Sequence, residues 1–123
     1  MEKDEREFFV AMPAVIPIYE RLTDSISAVV PQVRMEVRKS QISFIDKRVF
    51  AAAWLPPRKI KGRPEHYLIV TLWLGYPLQS PRIAEAASIN PGRWANHVIL
   101  ADESEVDDEL LGWVAEALKF SQH

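Results

Sequence analysis

The sequence predicts an α+β domain of two layers: an antiparallel sheet of about five strands, with N- and C-terminal helices packed on one face. Three observations carry this. Apolar residues recur every three or four positions up to Pro31, every second position from Val33, and every three or four again after Ala101. The intervening strands follow one another in a block linked by short polar stretches, and the alternating strand–helix units of a doubly wound fold are absent. The chain has 123 residues, 48% of them hydrophobic and 26% charged, which suits one domain over residues 1–123 with a core of its own.

Residues 5–12 are expected to form a short helix, with Phe8, Phe9 and Met12 as its apolar patch. A longer helix follows, because Val15, Ile18, Tyr19, Leu22, Ile26, Val29 and Val30 make one continuous stripe. Pro13 and Pro17 fit in or before its first turn, where amide protons lack partners, and Pro31 ends it. Val33, Met35 and Val37 alternate with Arg34, Glu36 and Arg38 as in a half-buried strand. Ile42–Ile45 and Val49–Leu55 form a hairpin across Asp46-Lys47-Arg48. Tyr67–Leu74 is apolar on both faces, so it is placed centrally with cover on each side. Pro56–Pro64 is a basic loop whose prolines cannot donate to a ladder. Residues 75–92 read as irregular, with a helical turn at 82–88, and Asn96–Ala101 as the last strand. In the closing helix Ser104 or Asp102 serves as cap, acids crowd the first turn, and Val106, Leu110, Trp113, Val114, Ala117 and Leu118 form the buried stripe.

Composition excludes several kinds of chemistry. There is no cysteine, hence no disulfide, thiolate metal site or cysteine nucleophile. The first residues are charged and mostly acidic, unlike a secretory leader, and no apolar run approaches the ~18 residues of a membrane span. A cytoplasmic setting with no membrane contact is expected. The net charge is −2 yet unevenly spread. Between Val33 and Arg63 nine basic residues face two acids, whereas from Asp102 onward seven acids face Lys119 alone. Such polarity bears on partners, not on fold.

No metal site and no cofactor are expected. His66, His97 and His123 show no ligand spacing, and the four glycines are too scattered for a phosphate loop. No nucleophile elbow occurs, and the acids at 102–109 are accounted for by helix capping and solvation. Two clusters remain. Arg82 and Arg93-Trp94-Ala95-Asn96-His97, with Ser43, could bind a carboxylate or phosphate through arginine, with His97 as a pH-sensitive partner. Arg34, Arg38, Lys39, Lys59, Lys61 and Arg63 could hold phosphates, with Trp54, Tyr67 or Trp94 as a stacking surface.

Several stretches are familiar together: Ile42-Ser43-Phe44-Ile45, Phe50-Ala51-Ala52-Ala53-Trp54-Leu55-Pro56-Pro57-Arg58, Ser80-Pro81-Arg82-Ile83-Ala84-Glu85-Ala86, Pro91-Gly92-Arg93-Trp94 and Glu109-Leu110-Leu111-Gly112-Trp113. From about Phe9 to Ser121 the chain resembles an uncharacterised bacterial family, a domain of unknown function often labelled a predicted transport protein and also found appended to longer proteins. The resemblance implies a small α+β fold and a bacterial setting, and it brings no catalytic residues. The family usually has two histidines where this chain has Asn96-His97.

The function expected is a non-enzymatic binding or interaction module. One alternative is a small anionic-ligand site around Arg82, Arg93, Trp94 and His97, with enzymatic action left open. The other is nucleic-acid binding through residues 34–63, the less expected because no nucleic-acid motif accompanies the basic residues. Trp54, Tyr67 and Trp73 are expected to leave apolar surface on the sheet face away from the helices, which a homodimer would cover.

Overall fold

The structure, a computed structural model, describes residues 1–122; His123 lies outside the described residues. Three helices, α1 (Lys3–Phe8), α2 (Ile16–Val29) and α3 (Asp108–Ser121), flank six strands. The strands are β1 (Arg34–Val37), β2 (Ile42–Ile45), β3 (Val49–Trp54), β4 (Leu68–Leu74), β5 (Ile83–Asn90) and β6 (Arg93–Leu100). They make one antiparallel sheet in the order β1-β2-β3-β4-β6-β5. The α+β architecture with terminal helices is as expected, with a sixth strand added.

The core lies between that sheet and the helices. Alternate residues of the central strands, Phe44, Ala51, Ala53, Val70, Leu72, Val98 and Leu100, meet Tyr19, Leu22 and Ile26 of α2 and Leu110, Val114 and Ala117 of α3. Alanines at 51 and 53 let α3 approach β3 and β4 closely. Tyr19 reaches across to Phe44, with ring centroids 6.5 Å apart. Its hydroxyl donates to buried Glu5, whose other oxygen accepts the Glu2 amide, so α1 is tied down by a satisfied buried carboxylate. Burial first, and the Glu5 carboxylate next, push the Tyr19 phenol well above its usual range.

Several local expectations are corrected. The first helix covers residues 3–8, and a 3-10 turn at Pro13–Val15 separates it from α2. Pro17 sits in the first turn of α2 as its missing amide demands. Val29, assigned to the stripe, is 57% exposed because the helix ends there. The helical turn at 82–88 is instead β5, an edge strand hairpinned to β6 through Pro91 and Gly92, the latter at φ +80°. The ladder supplies what its alanine-rich sequence does not advertise. For the same reason β6 begins at Arg93. Asp102 caps a 3-10 turn at Glu103–Glu105, while α3 itself is capped by Asp107, whose carboxylate accepts the Leu110 amide. β4 is central, but helices cover one of its sides only.

Candidate functional site

The strand register lines up Glu36, Ser43, Ala52, Thr71, His97 and Glu85 in a single row across all six strands. These positions alternate with the core residues, so the row lies on the face that carries no helix. It has a floor of small, closely packed groups: Ser43 and Ala52 are fully buried and Thr71 is 3% exposed. Larger side chains stand around them. Arg38 Nε and Gln41 Nε2 donate to Ser43 Oγ at 3.3 and 3.0 Å, and Arg38 also pairs with Glu36.

At the centre is a chain of side-chain hydrogen bonds. Trp54 Nε1–H donates to Thr71 Oγ1 at 2.8 Å, and that oxygen lies 2.7 Å from His97 Nδ1. Because the indole can only donate, the threonine hydroxyl proton is directed to His97 Nδ1. The neutral imidazole then keeps its proton on Nε2, which faces Glu85 Oε1 at 3.7 Å. The Trp54 and His97 rings meet edge-on, centroids 5.6 Å apart. Burial holds the His97 imidazole below its usual pKa; Glu85 opposes that shift and Arg63 reinforces it. This arrangement positions a neutral histidine. It does not present a nucleophile, since the Thr71 oxygen is buried and already accepts the indole proton.

The four residues Arg82, Arg93, Trp94 and His97 are not brought together. Arg82 clamps the start of β5 to α3: Nη1 pairs with Asp107 (2.9 Å) and Glu109 (3.0 Å), Nη2 donates to the Glu105 carbonyl at 2.6 Å, and the guanidinium lies 5.7 Å from the Trp113 ring centroid. The Leu110 amide first and Arg82 second keep the Asp107 carboxyl below its ordinary range. Trp94 stands opposite Leu74, on the helix side. Arg93 shares the helix-free face with His97 but sits four residues away, about 13 Å along the strand, and stacks over Trp73 at 5.8 Å. Ser43 belongs to the same row as His97, with Ala52 and Thr71 between them.

The basic residues also divide. Arg34 begins β1, whereas Arg38 and Lys39 lie in the turn after it. That turn leaves the same end of the sheet as the loop holding Lys59, Lys61 and Arg63, because Val37 pairs with Ile42, Ile42 with Ala53, and Trp54 with Ile69. There the loop bounds a cavity of about 660 Å³ lined by Arg58, Lys59, Arg63 and Tyr67 among others. Among the described residues no group of three or more histidine, aspartate or glutamate side chains could hold a metal ion, and no helix is long and apolar enough to cross a membrane.

A family model described as a domain of unknown function (DUF5655) matches residues 6–121. The chain belongs to that family. No curated protein and no solved structure matches it. Where the DUF5655 resemblance implies two histidines, neighbouring strand positions send Asn96 and His97 to opposite faces. Asn96 is fully buried, and it accepts the Leu78 amide at 2.8 Å and donates to the Tyr76 carbonyl at 3.2 Å. It fastens the 75–79 segment to the sheet, so in this DUF5655 domain residues 96 and 97 cannot act on one ligand. Thr71 and Glu85 were not singled out by sequence reasoning. A lone hydroxyl within the apolar run Leu68–Leu74 is the signal that marks Thr71; nothing local marks Glu85.

Proposed function

We propose that the domain is a non-enzymatic binding module that receives its ligand on the helix-free sheet face. The observation that carries this is the Trp54–Thr71–His97 chain: three polar side chains fixed to one another on a face that no helix covers. Ordered groups of this kind recognise a ligand at little entropic cost. With its oxygen engaged and buried, Thr71 suits recognition better than turnover. Trp54 and Trp73 offer flat apolar contact beside it, and Arg93, stacked over Trp73, favours an anionic ligand. In this reading the module works in the cytoplasm, alone or as a homodimer that shares the face.

The test is a titration of the isotope-labelled domain with a panel of small organic anions, followed through amide and indole resonances. Perturbations centred on Ser43, Thr71, His97 and the Trp54 indole are expected, with the ligand recovered unchanged. Perturbations confined to α2 and α3, or conversion of the ligand, would overturn the reading. A sedimentation measurement settles the dimer: a clean monomer at high micromolar concentration removes it.

A further inference from the structure

The loop between β3 and β4 encloses a second feature, distinct from the polar row. The charged groups lining its cavity of about 660 Å³ are Arg58, Lys59, Arg63 and Glu65, besides His66, and Met12 and Ile60 supply apolar wall. Three permanent cations against one carboxylate leave two positive charges in surplus. Tyr67 lines the same cavity while only 2% exposed. Its hydroxyl is the one buried side-chain polar atom among the described residues with no hydrogen-bond partner. A buried hydroxyl without an acceptor costs about 1–3 kcal/mol, and replacement by phenylalanine would remove that cost at no loss of packing. The Arg63 guanidinium, 6.0 Å from the Tyr67 ring centroid, sits on the same side chain.

We propose that this cavity binds a small phosphate monoester carrying an apolar body. The phosphate, close to dianionic at neutral pH, matches the surplus charge of the lining, and its oxygens accept the Tyr67 hydroxyl proton and the arginine and lysine protons. The apolar body follows from size. By volume the cavity would hold on the order of twenty waters, far more than a bare phosphate fills, and it falls in the ordinary range for small-molecule sites. None of its lining residues belongs to the cross-strand row, although Arg63 lies close enough to His97 to help lower its pKa.

The test is calorimetric titration of the full chain with phenyl phosphate at low salt. Saturable one-to-one binding is expected, with inorganic phosphate weaker and phenol without measurable binding. Tyr67→Phe should weaken phenyl phosphate by about tenfold, the worth of one hydrogen bond to a charged acceptor, while leaving the unfolding temperature equal or higher. His97→Gln should leave this affinity unchanged, which separates the site from the helix-free face. Absence of saturable binding at millimolar phenyl phosphate would overturn the proposal, as would equal affinity in Tyr67→Phe or a loss in His97→Gln. A 5′-phosphorylated oligonucleotide distinguishes the other source of phosphate: tighter binding than phenyl phosphate, indifferent to Tyr67→Phe, would also overturn it.

Discussion

Thr71 and Leu72 are neighbours in β4, and their surroundings differ completely. Leu72 points to the helices, fully buried among core side chains of α2, α3 and the adjacent strands. Thr71 points the other way, nearly as inaccessible, yet held by an indole and an imidazole instead of by an opposing layer. Both faces of the sheet are closely packed, but one is sealed by secondary structure and the other by its own side chains.

Substitution at the two faces should therefore differ in size and in kind. The largest effect is expected on the sealed side, where Leu72→Ala should lower unfolding free energy by about 3 kcal/mol through lost burial and the cavity left behind, read in urea denaturation. Asn96→Ala should cost about 2 kcal/mol, because the buried Leu78 amide loses its acceptor; faster hydrogen exchange at Leu78 would identify that cause. A loss below half a kcal/mol would mean the 75–79 segment is secured elsewhere. Arg82→Met should cost about 1 kcal/mol, the size of a partly exposed ion-pair network, and the loss should shrink in high salt.

The helix-free face should respond mainly to pH. His97 has a folded pKa below its unfolded value of about 6.5, so the unfolded chain binds the proton more readily. The stability this contributes is complete above that value and is lost as pH falls through it toward the lower folded pKa. His97→Gln should flatten the decline in unfolding temperature below about pH 6.5 while changing stability little at pH 8. An unaltered pH profile would place the titration elsewhere. Thr71→Val should cost about 1 kcal/mol at neutral pH, because the Trp54 indole and His97 Nδ1 both lose their partner, and it should shift the fluorescence of Trp54 by freeing its indole proton.

The legible part of the fold was the part written in short periods. Val33–Val37 alternate and α2 repeats every three or four residues, so element type could be read within windows of about ten residues, although β1 is not half-buried as its alternation predicts: Met35 is 36% exposed. The strand β5 escaped because none of its residues is fully buried, so its sequence carries no alternating apolar pattern and its partner β6 dictates it. Of the residues proposed for a site, His97 and Ser43 share the cross-strand row, while Arg82 and Trp94 do not. Arg82 reads as a free cation until Asp107 and Glu109, 25 and 27 residues later, come within reach.

Periodicity established the layers, the number of helices on the covered face and the positions that build the core, since burying an apolar stripe has few geometric solutions. It could not establish that β4 pairs with β6 and leaves β5 outside, nor that Thr71 would face His97 across that pair. Those are matters of register between segments far apart in the chain. A one-residue slip there would send His97 to the core and Asn96 to solvent with every local pattern intact. Long-range pairing, set by the fit of the whole core, chose between them.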